Sequence, residues 1–123
     1  MLIKAINDLY GICRLDTNQP VPGWANNSRF YSITRTFEEL SIVCSQESIP
    51  DDVICEKDWR MLKVEGPLDF SQIGILSSIS TVLAQSRISI FAISTFDTDY
   101  ILLKNKDFDN AIKALRSNGY EIA

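Results

Sequence analysis

The hydrophobic positions in the middle of the chain change period abruptly after residue 65. Residues 60–65 alternate enough to predict a strand, which Gly66-Pro67 ends. Apolar residues at spacings of three and four then predict an amphipathic helix, with Ser71 or Asp69 placed to cap its first turn. The apolar stripe of this predicted helix is Ile73, Leu76, Ile79 and Leu83.

The last third of the chain continues with strand, turn, strand and helix patterns. Residues 88–94 and 100–104 are rich in β-branched and aromatic side chains and predict two strands, with turn-forming residues between them. A second helix ends at Asn118-Gly119, and 120–122 form a short final strand. The cap and apolar face of this second helix are Asp107, Phe108, Ala111, Ile112 and Leu115.

The predicted order βαββαβ constrains the fold. Right-handed crossovers place both helices on one face of a four-stranded antiparallel sheet. The fold class is therefore α+β, with a ferredoxin-like βαββαβ unit completed within about 64 residues. We expect this complete unit to occupy residues 59–123.

The first half of the chain resembles a reduced copy of the second. A slide of 60 residues brings residues 33–40 onto 93–100, and both segments read as strand, acidic turn and strand. Phe30 follows Leu15 by only fifteen positions, where the first helix is expected, and the prolines and glycine of this stretch cannot continue a helix. We therefore predict a degenerate first unit over residues 1–58, packed side by side with the complete one.

Composition and charge exclude several classes of function. The net charge of −4 gives no footprint for a phosphate backbone, which argues against nucleic-acid binding. No run of 18 apolar residues is present, and residues 1–10 lack the pattern of a secretory signal, so we expect a cytoplasmic protein without membrane association. Histidine is absent, which removes the commonest nucleophile pairs and metal ligands. The three widely spaced cysteines fit buried thiols better than a disulfide framework.

Two segments carry candidate binding chemistry. In the first, Gly74 lies at the start of a helix, where glycine costs about 1 kcal/mol relative to alanine. Either a ligand carboxylate approaches the free backbone N–H groups there, or the helix simply packs closely. In the second, Ser94 to Asp99, the hydroxyls and the carboxylates of Asp97 and Asp99 either hold an ammonium or guanidinium group or form a solvated turn.

The same two segments resemble a known family. Residues 65–76 (EGPLDFSQIGIL) and 88–100 (ISIFAISTFDTDY) look like the tandem ACT-domain proteins related to the CASTOR arginine sensors, especially their small bacterial members. Residues 30–36 (FYSITRT) and 39–44 (ELSIVC) are similar to the first ACT unit of that family. The resemblance spans roughly residues 10 to 123. It implies paired ACT units that bind small ligands, typically amino acids, at an interface between units.

The resemblance also implies which positions contact the ligand. They are Asp69, Phe70, Ile73, Gly74 and Ile75 in the strand–helix loop, and Thr95, Phe96 and Asp99 at the strand end, which Ser94 and Asp97 join on chemical grounds. The sensors fuse four ACT units, whereas this chain contains two, so the equivalent arrangement requires a homodimer.

Three hypotheses follow. The first is a regulatory protein that binds an amino acid or a similar small metabolite, without catalytic activity and without cofactor or metal. The second is an ACT-type dimerisation or protein-interaction module that binds no small ligand. The third, an enzyme using Asp69, Asp97 and Asp99 as acid–base groups or metal ligands, ranks last, and binding of a divalent cation would favour it.

Overall fold

A computed structural model describes residues 2–65 and 74–123. These divide into two compact units, which we call the helical unit (the residues up to Asn7 together with Arg60–Ala123) and the strand unit (Asp8–Trp59). The division into two ACT units at residues 58 and 59 stays a prediction. The strands are β1 (Leu2–Leu15), β2 (Ser32–Arg35), β3 (Leu40–Ser45), β4 (Ile54–Val64), β5 (Ile90–Ser94), β6 (Asp99–Lys104) and β7 (Glu121–Ile122), and the helices are α1 (Ile75–Gln85) and α2 (Phe108–Ser117).

The helical unit confirms the predicted α+β, ferredoxin-like class. Strands β4, β5, β6 and β7 alternate with α1 and α2 in the expected order. Both helices bury their apolar stripes in one core with strands β4 and β6, so both lie on the same face of the sheet. That core contains, among others, Leu62, Ile79, Leu83, Ile101, Leu103 and Leu115, all fully buried.

The helix ends differ in detail from the predictions. Gly74 is the N-cap of α1 rather than a residue of its first turn, because its φ of 82° is left-handed and the helix begins after it. The suggested caps Ser71 and Asp69 lie outside the described residues. Asp107 precedes α2 as predicted, but its side chain makes no capping hydrogen bond. Gly119, with a φ of 90°, ends α2 as expected.

The last strand pairs differently from the four-stranded antiparallel sheet that we expected. Strand β7 runs parallel to the start of β1, with Leu2 opposite Glu121 and Ile3 opposite Ile122. The first residues of β1 therefore pair with β7, and β1 is also a hydrogen-bonded neighbour of β4. This pairing joins residues from opposite ends of the chain, so no local pattern predicts it.

The strand unit builds its core without an α-helix, and all of its residues are described. Buried residues of β1 and β3 pack with Ala25, Ile49 and partly buried Trp24. A short 3-10 turn, Gly23–Asn26, supplies Trp24 and Ala25 to this core from the segment where the sequence excludes a helix. No helix within the described residues is long and apolar enough to cross a membrane.

The strand registers show which residues of the two hairpins correspond in the two halves of the sequence. Arg35 pairs with Leu40 across the β2–β3 hairpin, and Ser94 pairs with Asp99 across the β5–β6 hairpin. Each pair encloses a turn of four residues, so Arg35 corresponds to Ser94, 59 positions later. The predicted slide of 60 residues is therefore wrong by one. It aligned apolar stretches of sequence, and such an alignment does not fix the strand register, in which neighbouring side chains face opposite sides of the sheet.

Candidate functional site

The predicted site residues that the structure describes lie in two places of the helical unit, at the start of α1 and around the β5–β6 turn. Asp69, Phe70 and Ile73 lie outside the described residues. The others that the structure describes are Gly74, Ile75, Ser94, Thr95, Phe96, Asp97 and Asp99.

Gly74 is exposed and begins α1 in a left-handed conformation. Its carbonyl oxygen accepts the Ser78 N–H at 2.8 Å, which closes the first turn of the helix. A Cβ built at Gly74 meets no described atom within 4 Å. The left-handed backbone conformation is one that glycine adopts without strain, which accounts for glycine at this position. The N–H groups of the residues that follow point out of the helix end, as they do in any α-helix.

Ile75 has a structural role that the sequence did not reveal. Its side chain is half-buried and packs against the core of the helical unit. Any contribution of Ile75 to ligand binding therefore comes from its backbone N–H, which lies in the first turn of α1.

The turn Thr95–Thr98 is held by its own hydrogen bonds. The Thr95 N–H donates to the Thr98 carbonyl oxygen at 2.8 Å. The Thr95 hydroxyl donates to the same carbonyl at 3.1 Å and accepts the Thr98 N–H at 3.3 Å. Thr36 makes the same contacts with Glu39 in the β2–β3 turn, at 2.8 Å from its N–H and 3.3 Å from its hydroxyl. The Thr95 hydroxyl therefore serves the turn, as its counterpart does in the strand unit.

Thr98 has a structural role that the sequence analysis did not predict, since it counted this hydroxyl among the groups of residues 94–99 that could hold a ligand. It is buried, with 6% of its surface exposed, and its hydroxyl donates to the Val64 carbonyl oxygen at the end of β4. This bond ties the turn to the strand end that immediately precedes the predicted strand–helix loop. The bond thus holds the β5–β6 turn against the end of β4. The only sign of this role in the sequence is a residue with a hydroxyl group, Thr98, directly before the apolar strand β6.

The Ser94–Asp99 pair distinguishes the helical unit from its partial copy. The Ser94 hydroxyl donates to Oδ1 of Asp99 at 2.5 Å, and Asp99 is only half-buried. At the corresponding positions the strand unit has Arg35 and Leu40, and Leu40 is fully buried in its core. A carboxylate thus stands where the other copy uses a core leucine. Hairpin geometry does not require this carboxylate, because the same hairpin forms without it.

In the strand unit, Arg35 joins the β2–β3 hairpin to the loop after β1. Its Nη2 donates to the Gln19 carbonyl oxygen at 2.8 Å, and its Nη1 donates to the Thr17 carbonyl oxygen. The Thr17 hydroxyl donates to the Thr36 carbonyl oxygen at 2.5 Å. The strand unit therefore fastens the loop after β1 to its hairpin with a guanidinium of its own.

An exposed phenylalanine follows the threonine in both turns. Phe96 has 78% of its surface exposed, and Phe37 is fully exposed. Burying a large aromatic side chain is strongly favourable in water, so an aromatic ring left at the tip of a turn is a candidate contact for a ligand or a partner. Asp97 is exposed beside Phe96, and Glu38 holds the same position beside Phe37.

The three cysteines converge in the strand unit, which their spacing did not predict. Cys13 and Cys44 are buried. Burial raises the pKa of the Cys13 thiol, and a hydrogen bond with Cys55 raises it further. Burial also raises the pKa of Cys44, to about 11. These two thiols therefore stay protonated near neutral pH and have little nucleophilic character. Within residues 2–65 and 74–123, no group of three or more His, Cys, Asp or Glu side chains is placed to hold a metal ion.

Comparison with protein families gives two matches along the chain. The profile of the ACT domain matches residues 54–117, which is more than half of the 123 residues. A separate profile that describes an N-terminal domain matches residues 8–52.

Curated relatives match most of this chain but only a small part of their own length. The cytosolic arginine sensor for mTORC1 subunit 1 from Bos taurus is 30% identical over 103 residues, which covers 77% of this chain and 31% of the sensor. The protein of the same name from Homo sapiens is 32% identical over 95 residues, covering 71% of this chain and 29% of the sensor. The chain therefore spans about a third of the length of these relatives.

Solved structures have the same fold over nearly the whole chain. A crystal structure of a protein from Agrobacterium tumefaciens has a TM-score of 0.94 and 38% identity, covering 99% of this chain and 91% of that one. The aspartokinase alpha and beta subunits have a TM-score of 0.69 at 15% identity, covering 95% of this chain and 96% of that chain. At this identity the second likeness concerns the fold alone.

Proposed function

The chain belongs to the ACT-domain family, and from that premise we propose that it is a regulatory protein without catalytic activity that binds an amino acid or a similar small metabolite. The proposed site lies in the helical unit, between the first turn of α1 and the β5–β6 hairpin. We propose a cytosolic location for the protein, because the related arginine sensors are named as cytosolic.

The Ser94–Asp99 pair is the observation that carries this proposal. The two hairpins share their turn threonine, their exposed phenylalanine and an acidic residue, so these features alone do not distinguish one hairpin from the other. Asp99 is not shared, and its half-buried carboxylate is oriented by the Ser94 hydroxyl. A carboxylate held in one orientation at a strand end suits the ammonium or guanidinium group of a ligand, because charge-assisted hydrogen bonds are stronger than neutral ones.

Arg35 supports the same interpretation from the other unit. There a guanidinium of the chain itself bridges the hairpin and the loop after β1. The helical unit has the short side chain of Ser94 at that position and a carboxylate opposite it. We infer that the ligand supplies, beside the β5–β6 hairpin, the cationic group that Arg35 supplies beside the β2–β3 hairpin.

The start of α1 supplies the complementary partner for a carboxylate. The first N–H groups of a helix have no partner within the helix, and the helix dipole favours negative charge there. Gly74 has no side chain to cap these groups. An α-amino acid with a cationic group therefore matches both ends of the site, its carboxylate at α1 and its cation at Asp99.

A thermal-shift screen against the twenty amino acids tests this function. A ligand that binds only the folded chain stabilises it by about 2.7 kcal/mol at a hundred times its dissociation constant. We expect a rise in melting temperature with one amino acid or a few of related chemistry. Asp99→Asn keeps the acceptor for Ser94 but removes the charge, and it should weaken binding by about tenfold or more. Glu38→Gln changes an acid in the hairpin of the other unit and serves as the matched control, with binding unchanged.

Gly74 provides an independent test of the α1 end of the site. Gly74→Leu places a side chain at a left-handed position and costs about 1–2 kcal/mol of stability, although the surrounding described atoms leave room for it. Gly74→Asn tolerates that conformation better and so separates strain from loss of binding. We expect Gly74→Leu to abolish binding, and equal affinity in Gly74→Leu and the unchanged chain would refute the assignment of α1.

The second candidate function is an ACT-type dimerisation or protein-interaction module. The exposed Phe37 and Phe96 favour it, since aromatic side chains are enriched in protein interfaces. We propose that the chain forms a homodimer under either function. A screen in which no amino acid raises the melting temperature, together with a dimer that Phe96→Ser dissociates, would favour the interaction module over the sensor.

A further inference from the structure

The strand unit contains a polar pocket of about 250 Å³ that the proposed amino-acid site does not use. It opens where the start of this unit, the segment before β2 and the end of β3 meet. Ligand pockets for drug-sized molecules occupy about 300–1,000 Å³. A pocket of this volume therefore suits a smaller metabolite.

The wall of the pocket is an ordered part of the fold. Tyr10 is buried, with 4% of its surface exposed, and its ring meets the ring of Phe30 edge to face at 5.9 Å between centroids. The Ser45 N–H donates to the Ser28 hydroxyl at 3.1 Å, which fixes the segment before β2 to the end of β3. The aromatic pair and this hydrogen bond give the pocket a defined shape without a ligand.

Three charged side chains line the pocket, namely Asp8, Arg29 and Glu47. Among the residues that the structure describes, none of these three is engaged in a hydrogen bond or an ion pair. Two carboxylates and one guanidinium, all three exposed to solvent, thus line one small pocket. Their charges sum to −1, so the complementary molecule carries one anionic group and two cationic groups.

We propose that this pocket binds a basic amino acid. The α-carboxylate of the ligand contacts Arg29, and its two cationic groups contact Asp8 and Glu47, while Tyr10 and Phe30 line its aliphatic part. The inference is independent of the proposed function, because it concerns other residues in the other unit. It gives the chain a second ligand site.

An NMR titration of the ¹⁵N-labelled chain of 123 residues with L-lysine tests the inference. We expect saturable shifts of the amide signals of residues 27–30 and 45–48. Shifts confined to residues 74–78 and 94–99 would overturn this inference and support the site in the helical unit. An absence of shifts in both groups at millimolar L-lysine would overturn this inference and leave other amino acids open for the helical unit.

Variants and a second probe test the role of each charge. Arg29→Gln and Glu47→Gln should each weaken L-lysine binding about tenfold, the effect of losing one charge-assisted contact. Asp51→Asn makes a similar charge change on an exposed residue of the same unit outside the pocket, and it should bind as the unchanged chain does. Putrescine, a diamine without a carboxylate, should bind at least tenfold more weakly than L-lysine. Equal binding of the two probes, or equal affinity in Arg29→Gln, would refute the assignment of Arg29.

Discussion

Replacing Thr98 by valine tests whether the buried hydroxyl holds the β5–β6 turn to the end of β4. Valine has nearly the same shape and the same branching, so Thr98→Val leaves no cavity and keeps the strand preference. It removes the donor to the Val64 carbonyl oxygen and leaves that carbonyl buried without this partner. Such a loss costs about 1–3 kcal/mol. For a chain of this size we expect a fall in melting temperature of about 3–6 °C for each kcal/mol.

Thr98→Ser is the matched control for this variant. It keeps the hydroxyl and loses one methyl group from a buried side chain, which costs about 0.8 kcal/mol. The free energy of unfolding of the three chains is measured by urea denaturation, followed by circular dichroism, with the slope against urea concentration compared as well. A similar slope in all three shows that the change lies in stability.

The order of the two variants decides the outcome. We expect Thr98→Val to be less stable than Thr98→Ser, although valine is the more apolar residue at a buried position. If Thr98→Val is as stable as the unchanged chain, or more stable than Thr98→Ser, the hydrogen bond to Val64 does not anchor the turn. The geometry on which the candidate site depends would then be wrong.

Three further predictions concern packing, titration and the exposed aromatic rings. Gly11→Ala should cost about 1–3 kcal/mol in urea unfolding, because its Cβ would lie 2.4 Å from Cδ1 of Ile49 and 2.8 Å from Sγ of Cys55. Ile49→Val should restore part of the loss, and a Gly11→Ala chain as stable as the unchanged chain would contradict these contacts. Since the pKa of Cys44 is raised from 9.0 to about 11, the unfolded chain loses the proton first and stability falls between these pH values. The stability difference between the unchanged chain and Cys44→Ala should therefore shrink from about pH 8 to about pH 10; a constant difference would contradict a raised pKa. Phe96→Ser should weaken amino-acid binding in calorimetry while Phe37→Ser leaves it unchanged, and equal effects would assign both rings to another role.

Local patterns predicted the elements of the helical unit because each element has its own period and end signals. The stripe through Leu76, Ile79 and Leu83 and the glycine at 119 needed no information from distant residues. The repeat was also visible, but its offset was wrong by one residue, since only the pairs Arg35–Leu40 and Ser94–Asp99 fix the register.

The features that the sequence could not predict depend on distant pairs of residues. The parallel pairing of Leu2 with Glu121 joins the two ends of the chain. The burial of Thr98 depends on the position of Val64, 34 residues away. The chemistry of the turn gave Asp97 and Asp99 equal weight, and the resemblance alone pointed to Asp99. The hydrogen bond from Ser94, which the sequence did not predict, shows that the carboxylate of Asp99 is oriented.

Isothermal titration calorimetry of the full chain and of Asp99→Asn tests the central claim most directly, with the amino acid that gives the largest thermal shift as titrant. We expect saturable binding to the unchanged chain and an affinity at least tenfold lower for Asp99→Asn, because the oriented carboxylate holds the cationic group of the ligand. Absence of saturable heat with every amino acid, or the same affinity in both chains, would contradict an amino-acid site at Asp99.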